Sequence, residues 1–320
     1  MGLEELAKRL SDEHRIGITP ELVQGLGIAS ADVTRGRLMA QVEDDRSHLG
    51  VYFIGCYVID DTDFWGDGEI YWWSIPVIKD IHGKVRKNLL HGLPNGMPPH
   101  RVGSLEWMTN ISLAQPPLLA VVPPGDAAQQ LTLRIGIYDD DRAPADVPTA
   151  MTRGLEAFRD LADGEFDGPE LIINPVRQAI WDSLKAYQDD ILIEQDLVLR
   201  HGETSQFGRG LVGSLINSMA RFYYFVADEN TTERFGPITL HKGQVETVKF
   251  DSPLRGGGRL ALFARGADVS CSAFGDLTTD TPFMNRVIEH RQETSFAAGF
   301  NVAGNGAAKF VAYYTPPDSF

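Results

Sequence analysis

Residues 50–59 read GVYFIGCYVI and residues 69–78 read EIYWWSIPVI. Both runs are dense in β-branched and aromatic residues, the types that suit a pleated, packed surface, and each has the length of a strand. Between them lies DDTDFWGDG, residues 60–68, an acidic stretch with the glycines and aspartates of a turn. The three segments together predict two neighbouring strands joined by an acidic loop, and they set the class of the whole chain.

The pattern continues on the C-terminal side. Residues 131–138, LTLRIGIY, alternate cleanly between apolar and polar positions, and further strands are expected at 105–113 and 118–122. Residues 80–104 mix proline, glycine and basic residues with little periodicity and read as a long loop. Strand following strand without intervening helices is a sandwich pattern rather than a βαβ pattern.

Helical periodicity appears only later. Met151, Leu155, Phe158 and Leu161 share one face of an expected helix over 148–162, and Val176, Ile180, Leu184 and Tyr187 one over about 175–189. Strands are then expected at 191–199, 221–227, 237–240, 245–250, 259–265 and 309–314, with a glycine-punctuated helix over 208–220. Short helices are expected near the N-terminus, over 3–13 and from Thr19 to Leu26, where Thr19 is the N-cap and Pro20 the first helical residue. The expected fold is mainly β, with two β-sandwich domains joined by a helical connector. Its divisions are an N-terminal helical segment at 1–32, a first sandwich at 33–147, the connector at 148–190 and a second sandwich at 191–320.

Composition narrows the function. With 320 residues, 43% of them hydrophobic and 23% charged, the chain has the make-up of a globular protein with room for two cores. A formal net charge of −15, with only 29 Lys and Arg scattered along it, argues against nucleic acid as a partner. The same charge disfavours direct contact with anionic lipid unless a bound cation reverses the local sign. Residues 1–10 are amphipathic and lack a hydrophobic signal core, and no apolar run approaches the roughly 20 residues of a membrane-spanning helix. A cytoplasmic location, or export without a Sec signal peptide, is expected. Cys56 and Cys271 stand far apart in apolar or small-residue surroundings and are expected to be buried free thiols.

The chemistry concentrates in two acidic segments. One carries Asp60, Asp61, Asp63, Asp67 and Glu69, with Gly66 and Gly68 permitting tight turns; the other carries Asp139, Asp140, Asp141 and Asp146 directly after LTLRIGIY. Clustered carboxylates raise one another's pKa unless a cation neutralises them, and a hard divalent cation such as Ca2+ takes six to eight oxygen ligands of this kind. A solvated acidic face is the alternative, because Asp favours turns for local hydrogen-bonding reasons.

Residues 48–150 resemble the C2 domains, β-sandwiches that bind calcium at one end and often dock on phospholipid. The likeness rests on Asp60 followed by Asp67-Gly68-Glu69-Ile70-Tyr71, and on Tyr138-Asp139-Asp140-Asp141 with Asp146 beyond. The sequence departs from the family where an Asp-Pro-Tyr step is replaced by Asp67-Gly68-Glu69-Ile70-Tyr71, and it lacks an evident lysine-rich strand for phosphoinositides. The resemblance implies Asp60, Asp67, Asp139, Asp141 and Asp146 as ligands. Asp61 joins them as the neighbouring acid of the same loop. Phe64 and Trp65, at the loop's tip, are the side chains that would enter a membrane interface or meet a ligand.

Other constellations carry less. No GxSxG, HExxH, Walker or Rossmann fingerprint occurs. The RGGGR run at 255–259 reads as a hairpin turn rather than an anion cradle. His48, His82, His91 and His100 share no metal-ligand spacing and read as surface or loop residues. Trp65, Trp72, Trp73 and Trp107 would suit a sugar platform, although strand alternation sends Trp72 and Trp73 to opposite faces. Three readings of function follow. The first is a calcium-dependent binding protein whose C2-like domain contacts a phospholipid membrane or a protein partner. The second is a structural or effector component, toxin-like, that self-assembles. The third is a hydrolase using the acidic cluster.

Overall fold

In the computed structural model the described residues are 49–61, 68–87, 100–122, 128–139, 146–161, 164–184, 190–202, 206–228, 231–266, 268–272, 274–289, 295–300 and 306–317. The expected N-terminal helices lie outside them. The chain is mainly β, as the sequence predicts, and among the described residues the strands form four antiparallel sheets.

Two sheets make the first sandwich. Its strands are β1 (Leu49–Val58), β2 (Gly68–Lys79), β3 (Val85–Lys87), β4 (His100–Val102), β5 (Glu106–Trp107), β6 (Leu118–Val122) and β7 (Gln130–Asp139), followed after the helices by β8 (Asp190–Arg200), β9 (Val212–Ile216) and β10 (Ala220–Asp228). One sheet runs β5-β1-β10-β9, with β6 also on β1; the other runs β3-β2-β7-β8, with β4 also on β2. The expected long loop at 80–104 thus contains β3 and β4, and the expected strand at 105–113 is reduced to β5. Beyond Trp107 the chain turns away, and the Arg265 guanidinium holds the Met108 and Ile111 carbonyls at 3.2 and 2.7 Å.

The opening pair of segments becomes β1 and β2 on opposing sheets, and their near-continuous apolar character has a simple cause. Each strand is covered on both faces. From β1, Val51, Phe53, Cys56 and Val58 enter the core between the sheets, packed with Trp72, Phe222, Leu133 and Ile135. A bulge between Phe53 and Gly55 shifts the alternation, so the inward positions change from odd to even numbers. Ile54 points the other way, towards the second sandwich. From β2, Trp72 faces this core, while Tyr71, Trp73, Ile75 and Val77 face two helices, α1 (Asp146–Asp160) and α2 (Glu170–Leu184).

The helices appear where periodicity places them, α2 beginning five residues earlier than expected. The amides of Ile172 and Ile173 both bond the Pro169 carbonyl, so Gly168-Pro169 starts the helix and Pro175 falls inside it. They do not link two sandwiches: β7 and β8, which they join, are neighbours in one sheet, paired from Gln130↔Arg200 to Asp139↔Asp190 with a register shift between Ile137 and Tyr138. By pairing, β8, β9 and β10 therefore belong with the first sandwich, although the expected division at 190/191 groups them with the second. The helix expected over 208–220 is instead a short turn and β9, because Gly208 and Gly210 take positive φ (75° and 77°), outside helical geometry.

The second sandwich comprises β11 (Glu233–His241), β12 (Val245–Lys249), β13 (Arg259–Arg265), β14 (Val269–Cys271), β15 (Gly275–Leu277), β16 (Phe283–Val287), β17 (Ser295–Phe300) and β18 (Ala307–Thr315), in sheets β11-β18-β13-β16 and β12-β17-β14-β15. Leu240, Leu260, Leu262, Phe310 and Tyr314 anchor its core. The sandwiches stack face to face. Ile54, Tyr223 and Phe225 of the first meet Phe263, Val311 and Tyr313 of the second, with Phe225 and Tyr313 stacked at 4.0 Å between ring centroids. At Gly55 a Cβ would stand 2.9 Å from the Phe263 ring, so the close approach of the sheets requires glycine there.

Candidate functional site: an acidic rim

Strand pairing decides where the two acidic segments stand. β1 ends at Val58 on one sheet and β2 starts at Gly68 on the other, so the first segment leaves and re-enters the sandwich at one end. Ile70 near the start of β2 pairs with Asp139 at the end of β7, which brings the second segment to that same end. β8 begins there too, with Asp190 opposite Asp139.

Three of the expected ligands have described side chains. Asp60 is exposed, and its amide and that of Ile59 both donate to the Met219 carbonyl, at 3.1 and 2.7 Å. Asp61 is buried and closed against Ser104: its amide donates to the hydroxyl at 3.1 Å, and the hydroxyl donates back to its Oδ1 at 2.8 Å. Asp139 is fully buried and stands over Gly68, where a Cβ would come within 2.4 Å of its Oδ2. Gly68 is therefore a strand residue that leaves room for a carboxylate, rather than a turn residue. Glu69 pairs with Arg101 on β4 at 3.1 Å. Asp67, Asp141, Phe64 and Trp65 lie outside the described residues, and Asp146 starts α1 without a described side chain. Among the described residues, no three His, Cys, Asp or Glu side chains are grouped to hold a metal ion.

Two polar clusters outside the rim escaped the sequence reading. On the helix-covered face, Glu194 accepts the Tyr138 hydroxyl at 3.0 Å and the Arg177 guanidinium, while Arg134 bonds Asp196 at 2.5 and 3.0 Å. Burial, then the neighbouring Glu194 charge, raises the Tyr138 phenol well above its ordinary range. At the passage between sandwiches, buried Arg209 donates to buried Asp228 at 3.0 Å, to Thr231 at 2.9 Å and to the Pro316 carbonyl at 3.2 Å. No local spacing announces either cluster, because their members come from segments remote in sequence. Every described member is engaged with another member or with backbone, an arrangement suited to fixing elements in place.

The remaining candidates resolve simply. Trp72 and Trp73 are both buried, on opposite faces of β2, and Trp107 packs on Tyr57 and Tyr223, so these three form no open sugar platform. His82 lies in the β2–β3 turn and His100 bonds Thr109 at 2.9 Å. The Gly258 amide bonds the Arg255 carbonyl at 3.0 Å, closing the expected glycine turn. Cys56 and Cys271 are free and buried, and burial pushes the Cys271 thiol up to about 12 and that of Cys56 further. No helix among the described residues is long and apolar enough to cross a membrane.

Fold and rim together define the class: a mainly β protein of stacked antiparallel sandwiches with acidic segments at one end. No family model matches the chain, and no curated protein does. Among solved structures, human GIVD cytosolic phospholipase A2 in complex with methyl gamma-linolenyl fluorophosphonate overlaps 86% of this chain at 8% identity and a TM-score of 0.24. The overlap covers 33% of that chain, so this protein spans about a third of its length. At that TM-score the likeness carries no argument about fold or activity.

Proposed function

We propose that the protein is a calcium-dependent binding protein whose first sandwich, C2-like in character, contacts a phospholipid membrane or a protein partner through the acidic rim. One observation carries this reading: both acidic segments leave the same end of one sandwich, with Asp61 and Asp139 buried there. Carboxylates brought to one end of a fold can share a cation, and Ca2+ accepts six to eight oxygen ligands at flexible geometry. The ligand set is drawn from Asp60, Asp61, Asp67, Asp139, Asp141 and Asp146. Phe64 and Trp65 supply the apolar contact.

Thermal unfolding in millimolar Ca2+ and in excess chelator tests the cation. At one hundred times Kd a ligand specific for the folded state adds about 2.7 kcal/mol, and Tm should rise clearly. Asp67→Asn and Asp141→Asn should each remove most of the rise. Superimposable melting curves with Ca2+ and chelator would refute the reading. Sedimentation with phosphatidylserine vesicles, with and without Ca2+, then separates a membrane from a protein partner.

A further inference from the structure

We draw no further inference here: the strongest candidate, the acidic rim that carries Asp60, Asp61 and Asp139, belongs to the site already described, and nothing in the structure shows what covers the exposed Leu105 and Ile216.

Discussion

Arg209 and Asp228 illustrate how much depends on single buried charges. The pair sits where the chain passes from β10 to β11, and both side chains are almost wholly removed from water. Removing one partner of a buried ion pair typically costs about 3–5 kcal/mol. Arg209→Ala and Asp228→Ala should each lower the unfolding free energy measured by urea titration by an amount of that order, and the double variant should lose less than their sum. Tyr313 points the opposite way. Its hydroxyl is buried in the seam between sandwiches with no hydrogen-bond partner among the described residues. Tyr313→Phe is therefore expected to leave stability unchanged or to raise it by up to about 1 kcal/mol, measured by the same denaturation. A clear loss would mean that the hydroxyl has a partner in the folded protein.

Asp80 supplies a pH dependence at this same scale. Burial pushes its carboxyl up, but the Lys84 and His82 amides, at 3.0 and 2.8 Å, and the Arg86 guanidinium together outweigh burial and hold it below its ordinary value. A carboxyl depressed in the fold stabilises above its unfolded pKa, and that contribution disappears as pH falls through the folded value. Between about pH 5 and pH 2, Asp80→Asn should lose less stability than the parent, because its turn no longer titrates. Parallel acid-side losses in the two proteins would count against this assignment.

At the scale of elements, the helices rest on contacts that strands supply. Lys87, on the short strand β3, reaches the end of α1 and donates to the Leu161 and Phe158 carbonyls at 2.6 and 3.3 Å. A cation at a helix C-terminus satisfies orphan carbonyls and complements the helix dipole. Lys87→Met should cost about 1–2 kcal/mol, with hydrogen exchange rising first in the last turn of α1. The β2–β7 pairing has a comparable key. Gly136 lies opposite Trp73, and a Cβ there would come within 2.4 Å of the indole. Strand periodicity made β7 legible from LTLRIGIY, but nothing local explains its glycine, whose reason is an aromatic ring on another strand. β9 was missed because its five residues carry no strong alternation and follow a glycine-rich turn.

At the scale of the molecule, the sandwiches share too much apolar surface to behave as separate units. The outer face of the β1–β10 sheet is sealed by the β13–β18 sheet through Ile54, Tyr223, Phe225, Phe263 and Tyr313. Calorimetry should therefore show one unfolding transition with equal calorimetric and van't Hoff enthalpies. A fragment of residues 33–147 should fail to fold, since β1 would lose β10 and β7 would lose β8. A dispersed amide spectrum from that fragment would show those pairings to be dispensable.

The sequence by itself determined the mainly β class, the strands of strongest pattern, the two helices and the acidic character of two segments. These follow from periodicity, residue type and charge, which act over a few neighbouring residues. Only the tertiary structure decided that β8 to β10 complete the first sandwich, that both faces of β1 and β2 are buried, and that the acidic segments leave the same end of it. Those outcomes depend on which strands pair across long stretches of chain. The hydrogen bonds of one antiparallel ladder resemble those of another, so packing chooses among partners that local patterns leave open.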